Sequence, residues 1–188
     1  MLNAVSTMLY RYCRWPAIVL ALVLQSVFMS QVMAPQGADM ITLTDAWSSP
    51  DGHFFYTPDE LYSHLAVWTE AGKALYISFR LGLDPVWALV YGGVLIITTS
   101  VALRHVYPQN HPRRLWNLCA LLPMTADITE NFIGIILVHN LPERLDWLAW
   151  MGASITAFKW VTLGFAHVIA LAAVVAALIA LARRRSAA

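Results

Sequence analysis

Four apolar stretches, each near the length a helix needs to cross a bilayer, leave this chain few ways to fold. A crossing helix takes about 20 residues, and the stretches run near 15–34, 85–103, 115–138 and 152–182 of the 188 residues. Charged residues make up only 12% of the chain and hydrophobic ones 59%; an ordinary soluble domain is about 25% charged. The expected fold is therefore all-α and integral to a membrane: a four-transmembrane-helix bundle, with residues 1–188 as one polytopic membrane domain. A net charge of +1 gives no nucleic-acid footprint and no acidic tail. The two cysteines, Cys13 and Cys119, make neither a disulfide framework nor a zinc pattern.

The first stretch has a second reading. Arg11 and Arg14, an apolar run and "VMA" before Pro35 resemble a secretory signal with its cleavage site. Proline after the cut and the length of the segment favour a retained helix. Loop arginines set the orientation: Arg11, Arg14, Arg104, Arg113, Arg114 and Arg183–Arg185 fall on one side, placing both termini in the cytoplasm. Segment 35–84 and the turn 139–151 then lie outside, and the expected location is a cell membrane, a bacterial inner membrane.

Within the outer segment, "MITLT" (40–44) reads as a short strand. "TPDE" marks a helix start, with Thr57 as N-cap, Pro58 at the first position and Glu60 as capping-box partner. Leu61, Leu65, Trp68, Gly72, Leu75 and Phe79 recur at helical spacing, which predicts one amphipathic helix over 58–82 that either lies on the membrane surface or caps the bundle; its polar face is too little basic for lipid headgroups, which favours the cap. Glu70 and Arg80 read as solvated, with a lid role as the alternative.

The third stretch, "LLPMTADITENFIGIILVH", carries Asp127, Glu130 and Asn131 in its middle. Positions three and four apart share a helix face. A charge facing lipid costs at least about 2.5–3.5 kcal/mol, so this face looks into the protein. Lys159 shares a stripe with Gly152, Ala166, Ala170, Ala173 and Ala177, small residues of the kind that mark close helix packing. It is expected inward and opposite the carboxylates, which would hold one proton between them near neutral pH. Asp84, Tyr91, Trp87, Trp160, His167 and Gln25 complete the expected pocket. Asp84 before Pro85 also reads as an N-cap, and His167 as a packing residue.

No G-x-S-x-G, H-E-x-x-H, P-loop or dinucleotide fingerprint occurs, no motif names a cofactor, and no metal site is assigned. "YTPDELYSHLAVWTEAGKALY", "LDPVWALVYG" and "DITEN" together resemble a loosely defined set of uncharacterised small four-helix membrane proteins with an outer-loop helix and a D-x-x-E-N motif. The resemblance implies no activity; it draws attention to Tyr56, Gly72, Asp84, Tyr91, Asp127, Glu130 and Asn131. The layout is claudin-like in outline only, because the tryptophan and double-cysteine signature of that loop is missing.

The first functional expectation is an intramembrane pocket for a small hydrophobic or lipid-like molecule. Asp127, Glu130 and Lys159 would be its catalytic groups in acid/base isomerase, cyclase or hydrolase chemistry, and Asn131 an orienting donor. The alternatives are a small transporter or proton/cation relay built on the same residues, and an accessory subunit in which the cluster is an interhelical lock. Without an internal repeat, alternating access would need a homodimer or a larger membrane complex. Membrane lipids are the expected surroundings in every case.

Overall fold

The computed structural model describes residues 2–44 and 49–186. Helices account for 85% of it, and no strand occurs among the described residues. In chain order the helices are α1 (Leu2–Tyr12), α2 (Trp15–Leu43), α3 (Pro58–Leu65), α4 (Glu70–Leu81), α5 (Leu83–Val106), α6 (Leu121–His139) and α7 (Asp146–Ser186). A single 3₁₀ turn (Pro50–Gly52) precedes α3, and a longer 3₁₀ run (Pro112–Leu118) leads towards α6. Four helical spans are long and apolar enough to cross a membrane: Trp15–Leu43, Leu83–Val106, Pro112–His139 and Asp146–Ser186.

Three expectations change here. The strand expected at Met40–Thr44 is helical, because α2 continues past Pro35 to Leu43. Proline removes a backbone donor and crowds the carbonyl four residues back; the π-helical turn Met29–Met33 just before Ala34 widens the helix at that point. Continuation puts Met40 into the core, and the Thr44 hydroxyl closes the end by donating to Met40 O at 2.5 Å.

The single amphipathic helix over 58–82 is two helices. The Thr57 capping box starts α3 as expected. Thr69 then caps α4, accepting from Gly72 N at 3.0 Å, while its own N–H and hydroxyl reach Leu43 O. Gly72 has to be small: a Cβ there would lie 2.6 Å from Leu43 O. The break resets the helical phase, so α4 buries Gly72, Tyr76 and Arg80 rather than the Leu75 and Phe79 side. Lastly, Asp84 sits inside the first turn of α5 rather than before it.

The described residues group into two compact units. The first comprises Met1–Gln25, Val90–Leu122 and Thr162–Ala188, and the second Ser26–Leu89 and Pro123–Val161. In the first unit Ala102, Leu103, Ala173 and Ala177 pack together beside Tyr10 and Tyr107, while Asn117 accepts from Ser6 and donates to Ser100, each at 2.9 Å. The core of the second unit is larger and aromatic: Tyr56, Leu61, Leu65, Trp68 and Tyr76 pack with Ile133, Leu137, Leu148 and Ala153. Arg144 pins α3 to the start of α7, bonding Asp59 at 2.6 Å and Asp146 at 3.0 Å over the Tyr62 ring.

Candidate functional site

The second unit buries a continuous network of charge. Arg80, on α4, is only 1% exposed. Its Nη1 donates to Asp84 Oδ2 and to Asn131 Oδ1, both at 2.8 Å, and Nη2 donates to Ser49 Oγ at 2.5 Å and to Asp51 Oδ1. The guanidinium also lies 4.9 Å from the centre of the Tyr76 ring. Lys159, on α7, reaches Glu130 Oε2 at 2.5 Å, Asp127 Oδ1 at 3.3 Å and Asp51 Oδ2 at 3.8 Å. Asp51 thus joins the two cations, and Lys159 stands between the two α6 carboxylates.

Glu130 has a second connection. Its Oε1 accepts from the Thr156 hydroxyl, which also faces Gly152 O at 3.0 Å and bonds the Tyr56 phenol. Two glycines make room for the tyrosines. A methyl at Gly152 would lie 2.8 Å from the Tyr56 hydroxyl, and one at Gly134 would collide with that of Tyr76. Glu130, Tyr56 and Tyr76 line a small cavity with Leu61, Leu65, Leu137 and Val138 as its walls. Only about 10 Å³ of it admits the centre of a water-sized sphere, close to the room one water needs.

Outside the four spans the electrostatics are plain. Burial alone would raise the Asp51 carboxyl, but the charges of Arg80 and Lys159 and bonds from Arg80 and Ser49 hold it well below the usual carboxylate range. Burial works against the Arg80 charge, yet Asp51, Tyr76 and Asp84 outweigh it and keep the guanidinium ionised. The Tyr56 and Tyr76 phenols are pushed up, first by burial; the Arg80 charge opposes this at Tyr76, nearby carboxylates add to it at both, and both stay protonated.

The structure brings Asp84, Asp127, Glu130, Asn131 and Lys159 together as residues of one network, each at most 5% exposed. Trp160 joins at its edge, Nε1 donating to Asp51 O at 3.1 Å. Trp87 instead stacks on Phe28, ring centres 6.2 Å apart. Tyr91, Gln25 and His167 belong to the first unit; His167 is exposed, with Nδ1 2.8 Å from Leu163 O. Of the two lid candidates, Glu70 pairs with Lys73 at the surface, whereas Arg80 is the centre of the network. Reading Arg80 as solvated is thus corrected. Its signal was the spacing of Gly72, Tyr76, Arg80 and Asp84, one every four residues, visible only once Thr69 is recognised as a cap. Asp51, Ser49 and Thr156 had no comparable signal.

Among the described residues no three His, Cys, Asp or Glu side chains converge as metal ligands. No family model, curated protein or solved structure matches the chain.

Proposed function

We propose that the second unit is a proton-exchanging centre of a membrane protein, taking up and releasing a proton at Glu130 in a relay or small-transport role. The chain would cross a cell membrane four times, with the arginine-rich ends of its helices cytoplasmic. One observation carries the reading: among the described residues four carboxylates, Asp51, Asp84, Asp127 and Glu130, share a buried network with two cations, Arg80 and Lys159. An uncompensated buried charge costs several kcal/mol, so bound protons are the economical balance. Glu130 is the carboxylate that borders the water-sized cavity.

Hydrogen counting supports the same residue. The Thr156 hydroxyl has one proton but faces two acceptors, Gly152 O and Glu130 Oε1. If the proton goes to the Gly152 carbonyl, Glu130 must supply the other from its own carboxylic acid. The two arrangements differ by one proton on Glu130, taken up from or released to the water-sized cavity it borders, while the Thr156 hydroxyl turns between its two acceptors and no backbone moves.

The second reading keeps the same acid but gives it a substrate. The cavity walls of Leu61, Leu65, Leu137 and Val138 suit a small hydrophobic molecule protonated or deprotonated by Glu130. Such a molecule requires α3 to shift, since a ligand site ordinarily encloses about 300–1,000 Å³. Infrared titration of the reconstituted chain separates these readings from a structural lock. A protonated-carboxyl band present at pH 7 and lost in Glu130→Gln supports proton exchange at Glu130. No such band in the wild type sinks it. A copurified hydrophobic compound retained by the wild type and lost in a folded Glu130→Gln variant favours the substrate reading.

A further inference from the structure

The first unit holds no acidic residue at all. All 11 Asp and Glu side chains lie in the second unit with four of the 12 cationic residues, and the other eight, all arginine, lie in the first. Three of these arginines, Arg11, Arg104 and Arg114, line one cleft of about 920 Å³ with Ser6, Tyr10 and His111. Their fixed contacts are to neutral groups. Arg104 donates to Cys13 O at 2.9 Å, and Arg114 donates to Tyr107 O at 2.9 Å while lying 4.5 Å from the Tyr10 ring centre. Arg11 is exposed at the rim, beside the Tyr12 ring. The cleft therefore gathers three guanidinium groups and no carboxylate to balance them.

The helix that forms one wall is amphipathic. At about 100° per residue, Leu2, Val5, Met8 and Tyr12 cover one side of α1, and all are exposed, from 38% to 68%. Ser6 and Tyr10 lie on the other side, docking α1 by bonds to Asn117 Oδ1 and Arg114 O. An exposed apolar stripe beside a cluster of arginines suits a helix lying at the headgroup level of a bilayer. Arg11 occupies the flank between the two faces.

We propose that this cleft binds the phosphate of an anionic phospholipid headgroup from the adjoining leaflet. Guanidinium and phosphate match in charge and hydrogen-bond geometry, and basic clefts beside membrane helices suit such headgroups. A free phosphate would satisfy the same groups; the apolar stripe of α1 is what assigns the phosphate to a lipid.

The test uses the full chain in nanodiscs of phosphatidylcholine, with and without a minority of phosphatidylglycerol. Phosphatidylglycerol retention is read by native mass spectrometry and thermal stability by unfolding. Expected results are a higher Tm with phosphatidylglycerol and a loss of retention of about tenfold in Arg11→Gln. Arg11 is exposed, so this variant folds. Arg185→Gln makes the same charge change outside the cleft and should lose clearly less. Equal losses in the two variants overturn the site in favour of general surface charge. Equal stabilisation by soluble glycerol phosphate in pure phosphatidylcholine overturns the lipid assignment, and so does a Tm indifferent to phosphatidylglycerol.

Discussion

The two units answer the same problem, arginine in an apolar chain, in opposite ways. In the second unit Arg80 is enclosed and held by Asp51, Asp84, Asn131 and Ser49. In the first, Arg104 and Arg114 rest on backbone carbonyls and aromatic rings with no carboxylate in the unit. Ion pairing makes a buried cation costly to remove, because its partners are stranded. Neutral anchoring leaves the charge available to something outside the chain. The first arrangement suits an internal switch and the second a surface for anions.

The comparison is broken most directly at Arg80. Arg80→Met leaves four carboxylates around Lys159 alone, and removing one partner of a buried pair costs about 3–5 kcal/mol. Lysine should not rescue it, since one ammonium cannot replace two nitrogens that each bond two acceptors. Arg114→Met should cost less, about 1.5–3 kcal/mol, the range for hydrogen bonds to a charged group, because only neutral carbonyls and a ring lose their partner. Unfolding in detergent measures both; equal losses would mean that the two units hold arginine in the same way.

Acid sharpens the contrast, since only one unit contains carboxylates. The folded-state Asp51 carboxyl titrates below its ordinary value, held there against burial by Arg80 and Lys159. A depressed carboxyl contributes stability that is fully present above the unfolded value of about 3.9 and is lost as pH falls through the folded one. At neutral pH Asp51→Asn should be the less stable chain by about 1.5 kcal/mol, towards the low end for a charged hydrogen bond at a partly exposed site. The gap should begin to narrow below about pH 4 and close only as pH falls through the folded Asp51 value. A gap that widens in acid would show that Asp51 is not the ionised bridge.

How far the site could be read from sequence follows from the helices that carry it. Asp127, Glu130, Asn131 and Lys159 lie on long uninterrupted helices, where three- and four-residue spacing fixes the face, and all four are inward. Arg80 was hidden because the phase was carried through Thr69, a cap inside an apparently continuous amphipathic pattern. Asp51 was hidden because it sits in a 3₁₀ turn, and no periodicity says which way a turn side chain points. Membership of four apolar helices was legible from length. The ends were less so: α2 runs to Leu43 and α7 starts at Asp146, where polar residues continue a helix that hydropathy alone would stop.

The smallest expected effects lie at the caps, which differ between the units as the arginines do. Thr57 and Glu60 form a reciprocal pair: the Thr57 hydroxyl accepts from Glu60 N at 3.2 Å, and Glu60 Oε2 accepts from Thr57 N at 2.7 Å. The backbone bond first, and the hydroxyl second, hold the Glu60 carboxyl below its ordinary value. In the first unit His111 makes a one-way cap, Nδ1 accepting from Arg113 N at 3.2 Å. Thr57→Ala should therefore cost about 1 kcal/mol, and His111→Ala only a few tenths in the absence of an anion. Because α3 carries Leu61 and Leu65 over the cavity beside Glu130, Thr57→Ala should also speed hydrogen exchange in α3 before any change in α6. Exchange that rises in α6 as early as in α3 would show that the roof of the cavity and its carboxylate open as one body, and the substrate reading, which needs α3 to move alone, would lose its route in.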